Sequence, residues 1–141
     1  MKKTAVIFWS GTGNTEAMAN AVLAGMQSAG ADAVLLSCAE VDSGMIDALD
    51  AVALGCPAMG AEVLEEEEFA PMFDSIKDKL AGKKVALFGS YGWGDGEWMR
   101  TWEDDCTSAG ITLACDSVIC NEAPDDEATA ACQNLGKILA E

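Results

Sequence analysis

At 141 residues the chain has the size of one domain, residues 1–141, long enough for a single sheet covered on both faces. Eight basic against twenty-four acidic residues give a net charge of −16, which excludes nucleic acid and anionic membrane surfaces as partners and leaves basic protein surfaces. With no histidine and no Cys-x-x-Cys pair among six cysteines, the usual general base is missing and ligands are few, so neither a catalytic residue nor a metal site is expected.

No apolar run has the length of a membrane span, and the start Met1-Lys2-Lys3 is followed by too short an apolar stretch for a signal peptide. A cytoplasmic protein with free, mostly buried thiols is the expectation.

Thr4 to Phe8 reads as a strand buried on both faces, and Asn14 to Ala29 as the helix it feeds. Gly30 stops that helix before a second strand, Ala31 to Leu36. A short helix over Asp42 to Leu49 leads to a third strand, Asp50 to Cys56. Val63 to Leu80 reads as a helix with Phe69, Phe73, Ile76 and Leu80 on one face, its proper start near Ala70 because of Pro71. Val85 to Phe88 is a fourth strand, Glu97 to Ser108 a helix, Ile111 to Cys120 a fifth strand with polar breaks, and Asp125 to Ala140 a closing helix. Strand and helix alternate five times, which calls for an α/β fold: an open, doubly wound, five-stranded parallel sheet. In such sheets ligands bind beyond the carboxyl ends of the strands. Three unusual loops follow the first, third and fourth strands, so all three share that edge.

The first loop, Trp9-Ser10-Gly11-Thr12-Gly13-Asn14-Thr15-Glu16, sets four short polar side chains and two glycines at a strand-to-helix junction. Such a turn aims backbone N–H groups at one small volume, and the helix dipole adds roughly half a positive charge. One helix cap needs one hydroxyl, whereas this stretch supplies several. A Walker loop is excluded because no Lys or Arg occurs between Lys3 and Lys77, and a dinucleotide fingerprint because Glu16 stands where its third glycine belongs. A terminal monophosphate held by neutral donors fits best.

The loop after the fourth strand, Gly89 to Gly96, holds Trp93 between two glycines, where an indole has no helix or strand face to pack on. It reads as a platform for a flat ligand. Met59, in the small-residue loop after the third strand, is soft enough to cover the other face. Trp98 can be core or cleft wall, and Trp102 reads as core. A planar aromatic ligand carrying a phosphate is implied, for which flavin mononucleotide (FMN) is the natural candidate.

Ser10-Gly11-Thr12-Gly13-Asn14-Thr15-Glu16, Pro57-Ala58-Met59-Gly60 and Gly89-Ser90-Tyr91-Gly92-Trp93-Gly94-Asp95-Gly96-Glu97-Trp98-Met99 closely resemble the short-chain flavodoxins of anaerobic bacteria, over essentially the whole chain. The resemblance implies a flavodoxin-like sheet order 2-1-3-4-5 and one noncovalent FMN. It implies that Ser10, Gly11, Thr12, Gly13, Asn14 and Thr15 bind the phosphate. Pro57, Ala58, Met59, Gly60, Ala61 and Glu62 form the second wall, Met59 and Trp93 flank the ring, and Glu62 accepts a hydrogen bond from flavin N3. Ser90, Tyr91, Gly92, Gly94, Asp95, Trp98 and Asn121 complete the environment, with Glu122 close by. The peptide after Gly60 is implied to flip on one-electron reduction, so that its carbonyl accepts the proton on N5. Here Ala61 follows that glycine instead of the Asp common among relatives.

The function so implied is a low-potential one-electron carrier shuttling between semiquinone and hydroquinone for redox proteins with basic docking surfaces, ferredoxin/flavodoxin-dependent oxidoreductases among them. It is an electron-transfer protein rather than an enzyme, and a monomer. The alternative is an FMN-dependent reductase acting directly on a nicotinamide or quinone. A phosphoryl-accepting signalling domain would need acidic residues at the end of the first strand, where Ser-Gly-Thr-Gly stands. The run Glu65-Glu66-Glu67-Glu68 suits either a helix start or the docking of a basic partner.

Overall fold

A computed structural model describes residues 2–11, 13–60, 62–92 and 94–141. Its centre is a parallel sheet of β1 (Lys3–Phe8), β2 (Asp32–Ser37), β3 (Ala51–Gly55), β4 (Lys84–Tyr91) and β5 (Val118–Asn121). The strand order is β2-β1-β3-β4-β5, as the resemblance implied. The register sets Val6 beside Leu35 and Ala53, and Leu54 beside Leu87, so the strands end together at one edge.

The central strands alternate faces, as the pleat requires. Ala5, Ile7, Val52, Leu54, Val85 and Leu87 face one core together with α2 (Ser43–Asp47), α3 (Phe69–Ile76) and α4 (Glu97–Ser108). Val6, Phe8, Ala51, Ala53, Ala86 and Phe88 face the other with α1 (Asn14–Ser28) and α5 (Asp126–Ala140). The small side chains of Ala51, Ala53 and Ala86 let α1 and α5 lie close to the sheet. The two helices also approach each other so closely that a methyl on Gly25 would overlap the Gln133 carbonyl, and one on Gly136 the Val22 carbonyl.

Four elements differ from the expected ones. The fourth strand runs on past Phe88 to Tyr91, so that Gly89, Ser90 and Tyr91 pair with β5 instead of opening a loop. The helix read over residues 63–80 starts at Phe69, close to the expected proper start near Ala70, but tightens into a 3₁₀ turn at Lys77–Lys79. Residues 63–68 are loop because Glu65 caps the helix: its buried carboxylate accepts the N–H groups of Glu67, Glu68 and Phe69 at 2.8, 2.7 and 2.7 Å. The fifth strand shrinks to four residues, and Leu113 keeps only an isolated bridge to Val85. The exposed Asp116 breaks the run between them. The short helix spans Ser43–Asp47, with Asp42 as its N-cap accepting from the Met45 N–H at 3.0 Å.

Burial would raise the Glu65 carboxyl, but the three N–H donors, Phe69 foremost, outweigh it and hold the pKa below the ordinary 4.5. The contribution to stability is therefore complete above pH 4.5 and is lost as pH falls through the lower folded value. Glu65→Ala is expected to cost about 2 kcal/mol in urea denaturation at neutral pH. The gap to the unaltered protein is expected to close in acid; a gap that stays constant down to pH 3 would count against the cap.

Candidate functional site

Because the strands are parallel, the loops after β1, β3 and β4 meet at one edge, and there they enclose a cleft of about 450 Å³. Trp9, Gly11 and Asn14 line it from the first loop, Pro57, Ala58 and Met59 from the second, and Ser90, Tyr91 and Gly92 from the end of β4 and the third. Glu122 and Ala123, past the end of β5, close it. A larger hollow of about 730 Å³ runs along β5 and α5 and adjoins the cleft at Tyr91 and Ala123.

The first loop turns into α1 through Gly13, whose φ of 96° is open to glycine at little strain. No side chain caps the helix. The Ser10 Oγ instead accepts the Gly13 N–H at 3.0 Å, folding the loop over the helix start. Thr15 is 1% exposed, and its Oγ1 is buried with no hydrogen-bond partner among the described residues. A buried orphan hydroxyl costs about 1–3 kcal/mol; Thr4 Oγ1 and Trp102 Nε1, both away from the cleft, are orphaned in the same way.

Backbone bonds hold the second loop. The Ala58 N–H donates to Ser90 O at 3.0 Å, tying it to the end of β4. The Met59 N–H donates to Val63 O at 2.9 Å, and the Glu62 N–H to Met59 O at 2.7 Å, closing a tight turn. Glu62 adopts a φ of 53°, uncommon outside glycine, and its carboxylate rests against Gly94, where a methyl would overlap it. Its Oε1 is buried without a partner among the described residues, the second such oxygen at this edge.

Gly89 lies near the end of β4, where a methyl would overlap the Cys56 carbonyl. The Ser90 hydroxyl donates to the Glu122 carbonyl at 2.6 Å, the Glu122 N–H donates to Tyr91 O at 2.7 Å, and Glu122 itself has a φ of 58°. The Asn121 amide donates to Tyr91 O at 3.3 Å. Arg100 grips the Asp95 carboxylate and carbonyl at 3.0 and 3.1 Å.

Of the residues expected from sequence, Gly11, Asn14, Pro57, Ala58, Met59, Ser90, Tyr91 and Gly92 line the cleft. Ser10, Gly13, Thr15, Gly60, Glu62 and Gly94 belong to the loops that frame it. Thr12, Ala61 and Trp93 lie outside the described residues, and with Ala61 the expected peptide flip. Trp98 is corrected from cleft wall to core: it is 1% exposed and its indole N–H donates to Cys56 O at 3.1 Å, beneath the floor. Asp95 turns to Arg100, and Asn121 faces the larger hollow. Sequence reading missed Trp9 and Ala123 as lining residues. For Trp9 the signal was present, an indole placed immediately before the phosphate-type loop.

Among the described residues the site holds no activated thiol and no metal cage. The six cysteines are free, and burial pushes the thiols of Cys56, Cys106 and Cys132 up to about 12 and that of Cys38 to about 11. Among the described residues no His/Cys/Asp/Glu group could hold a metal ion. Charge is sorted along the molecule. Lys2, Lys3, Lys77, Lys79, Lys83, Lys84 and Lys137 lie at strand starts or at the ends of returning helices, opposite the cleft. The cleft edge carries Glu16, Glu62, the Glu65 to Glu68 run, Asp95, Glu97 and Glu122, with Arg100 as its counterion.

Residues 6–136 match the flavodoxin family model. The flavodoxin of Megasphaera elsdenii is 44% identical over 135 residues, 96% of each chain, and that of Clostridium beijerinckii is 44% identical over 96% of this chain and 97% of its own. The solution structure of two-electron reduced Megasphaera elsdenii flavodoxin superposes with a TM-score of 0.89, covering 97% of this chain and 98% of that one. An archaeal flavodoxin structure, 28% identical, superposes with a TM-score of 0.85 over 98% and 96% of the two chains. Two buried oxygens unpartnered among the described residues, a strand-to-helix loop turned by Gly13 and a cleft of about 450 Å³ agree with these matches. The chain belongs to the flavodoxin family, FMN-binding electron carriers rather than enzymes.

Proposed function

We propose that FMN is held in the cleft between the three loops, its phosphate on residues 10–15 and its ring between Met59 and Trp93. The buried Thr15 Oγ1 at the phosphate end, unpartnered among the described residues, carries this reading, and the Glu62 Oε1 at the ring end, unpartnered likewise, supports it. Thr15 donates to phosphate, and Glu62 accepts from the ring's imide edge. Ser90 and Glu122 hold the end of β4 in place through their 2.6 Å bond. Bound FMN supplies one-electron transfer; the chain supplies position and charge.

That charge sets a low operating potential. Each carboxylate at about 10 Å disfavours an added electron by roughly 1.7 kcal/mol at an effective dielectric near 20, or about 70 mV. Salt screens the distant ones, so the contributions do not add linearly. The protein acts as one domain, residues 1–141, a cytoplasmic monomer serving redox proteins with basic docking faces, ferredoxin/flavodoxin-dependent oxidoreductases among them. Titration of apoprotein with FMN is expected to quench flavin fluorescence at one equivalent, and colourless protein after the titration would end the reading. Electron transfer to a basic partner is expected to slow roughly tenfold or more between 50 and 500 mM salt. Rates indifferent to ionic strength would remove electrostatic docking.

A further inference from the structure

Trp9 is the least explained side chain of the cleft, since it lies next to the anion loop without belonging to it. Its backbone N–H donates to Gly55 O at 3.0 Å, which fixes the residue at the end of β1. Its ring lies over Gly11: the Cη2 and Cζ3 atoms stand 3.1 and 3.3 Å from where a Gly11 Cβ would be. Its Nε1 faces Glu68 Oε1 at 3.4 Å. Glu68 is in turn anchored, because its own N–H is held by the buried Glu65 carboxylate at 2.7 Å. A chain of neighbours thus runs from the capped start of α3 through the Trp9 indole to Gly11, where the ring occupies the space beside the missing side chain.

By charge alone, Glu68 works against an anion bound in the neighbouring loop. Its neighbours Glu66 and Glu67, likewise exposed, accept no side-chain hydrogen bond among the described residues. What sets Glu68 apart is the indole N–H it accepts, and what sets Trp9 apart is the glycine under its ring. From this geometry we infer that Glu68 is a positioning residue. It orients Trp9, and Trp9 pins the phosphate loop at Gly11 in the shape that receives the FMN phosphate. The inference rests on the FMN reading and adds a residue that contacts no part of the ligand.

The test separates hydrogen bond from charge. Glu68→Gln and Glu68→Ala remove the same charge from an exposed position, but only glutamine keeps an acceptor for the indole. FMN and riboflavin affinities are measured for both variants by flavin fluorescence, riboflavin reporting the ring alone. The FMN-to-riboflavin affinity ratio is expected to be roughly threefold lower in Glu68→Ala than in Glu68→Gln. With Trp9→Phe, which keeps an aromatic ring and lacks the N–H, the two Glu68 variants are expected to become equal. Equal ratios with Trp9 intact, or a difference that survives Trp9→Phe, would overturn the inference while leaving FMN binding in place. Failure of the unaltered protein to bind FMN would overturn the functional reading first.

Discussion

Valine at position 15 is expected to weaken FMN binding roughly ten- to a hundredfold while leaving riboflavin affinity within about twofold. Valine matches threonine in shape and removes only the hydroxyl, whose oxygen is buried and unpartnered among the described residues. A hydrogen bond to a charged acceptor contributes about 1.5–3 kcal/mol, and its whole loss falls on the phosphate end. The apoprotein should respond in the opposite sense. Removing an orphaned buried hydroxyl relieves a desolvation penalty, so Thr15→Val apoprotein is expected to unfold in urea at the same or a higher concentration. Affinity measurements on both flavins and one denaturation curve test the pair. Equal losses for FMN and riboflavin would move the phosphate elsewhere, and a destabilised apoprotein would make Thr15 a structural residue.

Alanine at Gly136 is expected to destabilise the apoprotein by about 2–3 kcal/mol, although alanine is the better helix former by roughly 1 kcal/mol. The added methyl would overlap the Val22 carbonyl and stand 2.9 Å from the Met26 nitrogen, both backbone atoms inside α1 that no rotamer change can move. Gly25→Ala, pressing on Gln133 from the other side, is expected to behave alike. Because the two methyls force the same pair of helices apart, the double variant should lose less than the sum of the singles. The urea midpoints of the three variants check this. A neutral or stabilising Gly136→Ala would show that α1 and α5 can part freely, and the close approach would lose its meaning.

Much of this architecture is legible in the residues. Short apolar strands alternating with amphipathic stretches leave little choice but a doubly wound parallel sheet, and the edge where the loops gather follows from strand direction. Asp42 and Asp125 mark helix starts to within a residue, because a cap is a local event. What sequence conceals is what distant residues decide. The four glutamates at 65–68 look equivalent in a string, yet only Glu65 turns inward, and its capping of α3 sets the helix start at Phe69. Val63 and Leu64 fit a helical period but are held in loop by a bond from Met59. Trp98, open between core and cleft wall in the sequence, is core, and Trp9, given no part there, lines the cleft, both for the same reason. Trp98 meets the Cys56 carbonyl forty-two positions away, and Trp9 reaches Glu68 across fifty-nine.

The sorting of lysines away from the cleft gives the molecule a head and a tail in an electric field. Adsorbed on a cationic electrode, it would settle with its cofactor end against the metal and its lysine-bearing end in solution, the orientation in which the tunnelling path is shortest. A polyanionic film, by contrast, would repel a chain of net charge −16 and hold it in neither orientation. An orientation that a partner would otherwise impose by shape is thus partly written into the protein before any contact is made.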